Sequence, residues 1–288
     1  MIIDQELTKK IEAYCDSYIE GSGSIAAVCG AGGKDRHVQA IIDNYVGKIL
    51  IRLLKRIDKI SNKKILDYGC GLGGSIVAFE EEGFNAIGAE VDAKAVEICK
   101  MRVKNIQNII QISENGLPFK DASFDIVTSQ LVIEHTKDPN KYLFEALRVL
   151  KPGGKFLLIA PNYLFPWEGH YRVFWLPYLF PVSKRLFKVY LKLRGRDSRL
   201  IDYVNLKITP GYIKKTLRGI GSFTIEDMSV DIFKEKLTSP KEIPLPMVAN
   251  FFSKTRTNPL VKLFISFFIA TIKISKLYYP MILVINKT

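Results

Sequence analysis

From Lys64 onward the chain alternates strand-like and helix-like text with little between: KILDYG, SIVAFEEE, NAIGAEV, AKAVEICKMRVKN, IIQIS, FDIVTSQ, PNKYLFEALRVL and KFLLIAPN. Short apolar runs suit strands covered on both faces, and the longer amphipathic segments between them suit helices. Few folds accommodate such alternation, and it predicts an α/β fold with a parallel sheet and helices on both faces. LKPGG at 150–154 reads as a helix-ending turn before a buried strand, with Pro152 and Gly153 preventing continuation.

The flanks differ in character. Residues 4–20 and 37–59 carry helical spacing, the second through Val38, Ile41, Ile42, Tyr45, Ile49, Leu53 and Ile57. Between them, GSGSIAAVCGAGGKDR ends in a Gly33-Lys34 pair that looks like the close of a phosphate loop. Val28, however, stands where its first glycine belongs, and Asp35 where a magnesium-holding Ser or Thr belongs. A connection or lid is the better expectation. After Asn162 the text turns aromatic, proline-rich and basic, as an insertion over the sheet edge would be. A helix at 210–219, a strand near 223–232, Pro-rich text at 240–246, an apolar helix near 259–276 and a closing strand in PMILVIN complete the expected elements.

With 288 residues and 48% hydrophobic content, the chain can bury a substantial core. Cys15, Cys29, Cys70 and Cys99 form no CxxC pair, so no zinc ribbon or redox motif is read from them and a reducing cytoplasm is expected. The opening MIIDQELTKK lacks the basic n-region and unbroken apolar core of a signal peptide. A net charge of +13 favours an anionic partner: nucleic acid, phosphate or a membrane surface.

The segment with the most chemical content is ILDYGCGLGG. Asp67 ends a strand, and Gly69, Gly71, Gly73 and Gly74 occupy the turn into a helix, where a backbone without Cβ atoms can approach a ligand. Gly69, Gly71 and Gly74 also satisfy GxGxxG, and Glu90 ends the next strand where a ribose-binding acid belongs, so a nicotinamide or flavin enzyme is a direct competitor. Charge separates the two. A pyrophosphate over the loop would meet Asp67 as a like charge, costing up to about 4 kcal/mol at about 4 Å and an effective dielectric near about 20. S-adenosylmethionine instead presents an ammonium and a sulfonium. The alternative is that Asp67 only braces the loop.

From ILDYGCGLGG through GAEVDAKAVEIC and LPFKDASFDIVTSQLVIEHTKDP to ALRVLKPGGKFLLIAPN, the chain resembles class I S-adenosylmethionine-dependent methyltransferases, typified by the ubiquinone and menaquinone biosynthesis enzymes. The resemblance implies a Rossmann-like, seven-stranded, mostly parallel sheet. It divides the chain into an N-terminal helical cap (1–60), a cofactor-binding core (61–162), a substrate-covering insertion (163–209) and a completion of the sheet with an apolar helical insertion (210–288). It further implies that Asp67, Gly69, Cys70 and Gly71 hold the methionine part, that Glu90 and Val91 meet the ribose, that Ser113 or Glu114 meets the adenine amine, and that Gln130 lines the cofactor or substrate face. Some ubiquinone-type relatives carry a metal-binding Glu four residues before the histidine of the Glu-His pair. Leu131 stands there, so no metal is expected. PNYLFPWEGHYRVFW also looks like methyltransferases found among bacterial surface-polysaccharide genes.

Transfer to a hydroxyl needs its proton removed, and histidine is the usual base near neutral pH. Of the three histidines, His135 follows the fourth strand and His170 the fifth, both at the carboxyl edge where such sheets bind ligands, with Glu168 near His170. These are the catalytic candidates, against roles in packing or in shaping the pocket. His37, at the polar start of a helix, is expected in solvent. Lys184, Lys188 and Lys192 with Arg185 form a basic stripe opposite Leu186, Val189, Tyr190 and Leu193, and 259–276 has a wide apolar face with Lys262, Ser266, Lys273 and Lys276 opposite it. Its uncharged run is too short to span a bilayer. The expected function is therefore O-methylation of a small-molecule, glycan or lipid-linked acceptor in the cytoplasm, with peripheral contact to an anionic membrane and a homodimer as further expectations. An RNA methyltransferase, a nucleotide-cofactor oxidoreductase and a non-catalytic cofactor-binding protein are the alternatives.

Overall fold

The computed structural model describes residues 5–22, 33–171, 173–174, 176, 184–238 and 259–288. Most of the glycine-rich stretch, Cys29 and the Pro-rich text at 240–246 lie outside the described residues. Helix α1 (Gln5–Ser22) is followed by α2 (Gly33–Ile42) and α3 (Tyr45–Ile57). The single helix expected over 37–59 is thus two. Asn44 takes a left-handed conformation (φ 54°) between them, which asparagine tolerates, and its Oδ1 accepts a hydrogen bond from the buried Arg102 at 2.7 Å.

The alternating region folds as β1 (Lys64–Tyr68), α4 (Gly74–Glu81), β2 (Asn85–Glu90), α5 (Ala93–Arg102), β3 (Ile109–Gln111), β4 (Phe124–Gln130), α6 (Pro139–Val149) and β5 (Leu150–Ala160). Asp92 and Asp138 begin α5 and α6 by accepting the backbone N–H groups two and three residues ahead. A two-stranded hairpin follows, β6 (Trp167–Glu168) with β7 (Val173–Phe174), then α7 (Lys184–Leu193), α8 (Pro210–Ile220), β8 (Phe223–Asp227), α9 (Ser229–Thr238), α10 (Pro259–Ser275) and β9 (Met281–Lys287). The strand expected over 223–232 ends at Asp227, because Ser229 starts a helix. LKPGG does not precede the strand as a turn. It lies within β5 as an irregularity, Phe124 pairing with Leu150 and Ile126 with Lys155.

Seven strands form one sheet in the order β3-β2-β1-β4-β5-β9-β8, and only β9 runs antiparallel to its neighbours. Alternation along the strands sends side chains to two cores. Leu66, Val127, Phe156, Leu158 and Leu283 pack on one face, while Ile65, Ile126, Leu157, Ile159 and Val284 pack on the other. The strand order reverses beside β1, where β2 and β4 diverge, and a crevice opens there beyond the carboxyl ends of the strands.

Two surface helices depart from expectation or extend it. In α7 the stripes are exchanged. Phe187 and Leu191 are buried, Lys188 reaches back to Asp202 at 2.7 Å and Lys184 to the carbonyl of Asp202, so Leu186, Val189 and Leu193 face solvent with Arg185 and Lys192. Asp202 supplies the reason, since it gives the lysines an inward partner that spacing alone did not reveal. In α10, Ile272 is buried whereas Leu263, Phe267 and Ile274 are exposed; the side chains of Lys262, Phe264 and Phe268 lie outside the described residues. Among the described residues no helix is long and apolar enough to cross a membrane.

Candidate active site

A cavity of about 1020 Å³ occupies the crevice. Its floor is the loop from Asp67 to Gly74. Gly69 has φ +86°, and a Cβ there would stand 2.4 Å from Val132 Cγ2, so both backbone conformation and space require glycine. Gly71 also has positive φ, +52°, but a Cβ there would meet nothing within 4 Å: it borders open cavity. Tyr142, buried in α6, stacks on Tyr68 at 4.0 Å between ring centroids and donates its hydroxyl to the Tyr68 carbonyl at 2.8 Å, fixing the strand end from which the loop departs.

Asp67 is 3% exposed and lines the cavity. One carboxylate oxygen accepts from Ser75 Oγ and the other from Thr128 Oγ1 at 2.8 Å, so the brace it provides joins loop, helix α4 and strand β4 rather than loop amides. Burial raises its pKa to about 6; the two hydroxyl bonds oppose the rise and the Glu90 charge adds to it. Glu90 ends β2 and accepts the Gly71 N–H at 2.8 Å on Oε2 and the Val91 and Asp92 N–H groups at 2.8 and 3.1 Å on Oε1. Loop and second strand are thereby tied through one carboxylate. Cys70 also lines the cavity as a free thiol, and its hydrogen bond with the free Cys99, together with burial, raises its pKa.

Of the other expected cofactor residues, Val91, Ser113 and Glu114 lie on the cavity wall, Glu114 paired with Lys137 at 2.6 Å near its exposed side. Gln130 reaches the same cavity from the end of β4, and its Oε1 is buried without a hydrogen-bond donor among the described residues. An unmatched buried acceptor is costly unless a ligand or water satisfies it.

Several residues of the cavity were not foreseen. Tyr14 and Tyr18 of α1 form part of its wall, and the Tyr14 hydroxyl donates to Asp92 Oδ2 at 2.9 Å. His37 also lines the cavity; the expectation that it faces solvent is wrong, because α2 packs beside α1 around a small core of Leu7, Ile11, Cys15 and Val38. Burial lowers the His37 pKa. Arg102 donates to the carbonyls of Leu72 and Ile41 and to Asn44, fastening the N-terminal helices to the glycine loop. Asp92 carried a local signal, as the helix-starting residue after β2. The contact between Tyr14 and Asp92 spans 78 positions and left no local trace.

The catalytic candidates do meet. His135 lines the cavity, and its ring stands edge-on to that of His170 with centroids 5.3 Å apart. Glu168 is buried, holds His170 Nδ1 at 2.7 Å with one oxygen and accepts the Tyr171 N–H at 2.8 Å with the other. Burial acts to lower the His170 pKa, yet the bond and charge of Glu168, with Glu134, outweigh it and raise the group. His135 is pushed down to about 4 by burial and by His170, against a bond to the Tyr203 backbone. Behind them lies Glu134, fully buried and raised to about 7 by burial first, with Glu168 adding to the rise and His170 opposing it.

With this geometry in place, comparison with known proteins is direct. Residues 66–158 match the family model described as "Methyltransferase domain". A demethylmenaquinone methyltransferase of Tropheryma whipplei (strain Twist) is 28% identical over 159 residues, covering 55% of this chain and 64% of the relative. An uncharacterized methyltransferase of Bacillus subtilis, YcgJ, is 32% identical over 117 residues, 39% of this chain and 46% of that one. The chain thus matches less than two thirds of either relative's length. The crystal structure of the same Bacillus subtilis protein superposes with a TM-score of 0.47 and 24% identity over 64% of this chain and 70% of that chain. Residues 66–158, which contain the glycine loop, Glu90 and the Glu134-His135 pair, thus match a methyltransferase domain.

Proposed function

We propose that the protein transfers a methyl group from S-adenosylmethionine to an oxygen of a small-molecule, glycan or lipid-linked acceptor. The observation that carries the cofactor half is the set of acceptors in the cavity: Asp67, Glu90 and Asp92 surround the glycine loop, and Gln130 Oε1 has no donor among the described residues. Carboxylates and amide oxygens suit an ammonium, a sulfonium and ribose hydroxyls and repel a pyrophosphate, which argues against a nicotinamide or flavin dinucleotide. Asp67, Gly69, Cys70 and Gly71 would hold the methionine part, Glu90 and Val91 the ribose, Ser113 or Glu114 the adenine edge. When bound, the cofactor supplies a methyl carbon already activated by its sulfonium.

The remaining work falls to the chain's own groups, chiefly alignment, which is worth several kcal/mol in a displacement of this kind. Tyr14, held on Asp92, keeps α1 over the cavity and water out of it. On the acceptor side Glu168 fixes His170 by Nδ1, leaving Nε2 to take the hydroxyl proton. His135, neutral at physiological pH, offers an acceptor beside it. Calorimetry tests the cofactor assignment. Heat with S-adenosylmethionine and S-adenosylhomocysteine, and none with a nicotinamide dinucleotide, is expected; the reverse would overturn it. Transfer of labelled methyl groups into lipid or glycan fractions of a cell extract tests the acceptor, and label confined to RNA would replace it.

Peripheral membrane contact on the cytoplasmic face belongs to the same proposal. What supports it is the exposure of Leu186, Val189 and Leu193 beside Arg185 and Lys192 on α7, and of Leu263, Phe267 and Ile274 on α10, in a chain of net charge +13. A homodimer covering either face is the competing occupant.

A further inference from the structure

Glu134, His135 and His170 present one ligand atom each, all within 4.8 Å of one another, and Glu134 is fully buried with neither carboxylate oxygen receiving a hydrogen bond from another of the described residues. A buried carboxylate without partners is costly, and a cation beside it is the usual remedy. The two imidazoles are arranged as ligands rather than as free side chains. His170 Nδ1 is held by Glu168 at 2.7 Å, which leaves Nε2 with its lone pair, and His135 is bonded to the Tyr203 backbone while its Nε2 stands 3.9 Å from Glu134 Oε1. Orientation of a histidine through its second nitrogen, by a carboxylate or a carbonyl, is the outer-shell pattern of metal sites.

We propose that Glu134, His135 and His170 bind a divalent transition-metal ion of the Zn²⁺ or Fe²⁺ class. Two imidazoles and a carboxylate suit such ions, whereas Mg²⁺ prefers an all-oxygen set. Ligands about 2.1 Å from one ion stand about 3 to 4 Å apart, so shifts of about 1 Å at the side-chain ends bring the three donors to bonding distance. Three protein ligands leave a coordination position open, and His135, the one of the three that lines the cavity, joins the site to it. With the ion bound, an acceptor hydroxyl ligated there is made more acidic and releases its proton to water while His135 and His170 act as ligands; the base role of His170 Nε2 belongs to the ion-free site. The binding of the ion itself does not depend on the methyl-transfer reading. The expectation drawn from Leu131 concerned a different donor set, and His170 arrives from the segment after β5, 35 positions from His135 in sequence.

Protein stripped with a chelator and titrated with Co²⁺ gives the test, read by visible d–d absorption, with Zn²⁺ in competition and Mg²⁺ as control. One Co²⁺ per chain is expected, displaced by Zn²⁺ and unaffected by Mg²⁺. Glu134→Gln and His135→Ala should each weaken it at least about 100-fold, and Glu168→Gln, which removes no ligand and disturbs the orientation of His170, about 10- to 100-fold. X-ray absorption on the wild-type zinc form, showing scattering from two imidazoles, keeps the proposal testable should a variant fail to fold. Calorimetry with S-adenosylhomocysteine on the same stripped sample reports separately on the cofactor site. Absence of stoichiometric Co²⁺ absorption, or binding unchanged in the His135→Ala/His170→Ala double variant, overturns the proposal and leaves Glu134 a buried protonated acid.

Discussion

Asp67→Asn separates folding from binding at one residue. Asp67 is almost wholly buried, and its pKa rises from 3.8 to about 6 on folding, with burial as the main cause. For an acid whose folded pKa is raised, the contribution to stability is fully present below the unfolded value and is lost as pH rises through the folded one. Two units correspond to about 3 kcal/mol, of which about 1.4 kcal/mol falls between about pH 5 and pH 8. Asparagine cannot ionise, keeps one oxygen for Ser75 or Thr128, and forfeits at most one neutral hydrogen bond, about 1 kcal/mol. Urea unfolding of both proteins at the two pH values should therefore show the variant gaining on wild type by about 1.4 kcal/mol from pH 5 to pH 8, because other titrating groups cancel in the comparison. Affinity for S-adenosylmethionine should fall about 10- to 100-fold in the same variant, since a charge contact within about 4 Å is lost. If the stability difference were the same at both pH values, Asp67 would not carry a burial-strained charge, and the account of its brace would be wrong.

Four other substitutions and one partition assay address separate links. Gly69→Ala should cost about 1–3 kcal/mol by urea unfolding, because positive φ and the 2.4 Å approach to Val132 add. Gly71→Ala, with no atom within 4 Å, should cost about 1 kcal/mol yet weaken cofactor binding more than Gly69→Ala does relative to its effect on stability. Tyr14→Phe removes the bond to Asp92 and should raise hydrogen exchange in α1 and the dissociation rate of cofactor, with about 1 kcal/mol lost at most. His170→Ala should lower kcat about 10²- to 10⁴-fold with cofactor KM little changed, whereas equal losses in both would place it in the cofactor site. In flotation assays the protein should bind anionic and not neutral vesicles, less at high salt and less after Phe267→Ser with Leu193→Ser; recovery in the soluble fraction with both vesicle types refutes membrane contact.

How much of this was legible in the sequence depends on how local its cause is. Strand and helix alternation from Lys64 to Ala160 was readable because the central strands are buried on both faces and α5 and α6 carry side-chain caps, Asp92 and Asp138. The glycine loop was readable because Gly69 and Gly71 answer to backbone conformation, a property of the loop itself. The break at Asn44 and the reversed face of α7 were not, because each depends on a distant partner, Arg102 in one case and Asp202 in the other.

The same rule explains the divided outcome at the histidines. Their placement at the sheet edge followed from position along the alternating pattern, and their meeting in space accords with it. What spacing could not convey is that Glu134, one residue before His135, turns inward to a buried position where its carboxylate meets no donor among the described residues, while Glu168 arrives from β6 to orient His170. Burial of a carboxylate is a property of the assembled fold, set by Asn205 bonding the Glu134 carbonyl and by the segment after β5 covering the short turn that holds it. The Glu134-His135 pair thus becomes, once covered, part of a group of ligand atoms whose charge must be neutralised by a proton or by an ion. The two cases differ in a measurable way: a proton leaves Glu134 indifferent to chelators, whereas an ion ties all three side chains to one absorption band.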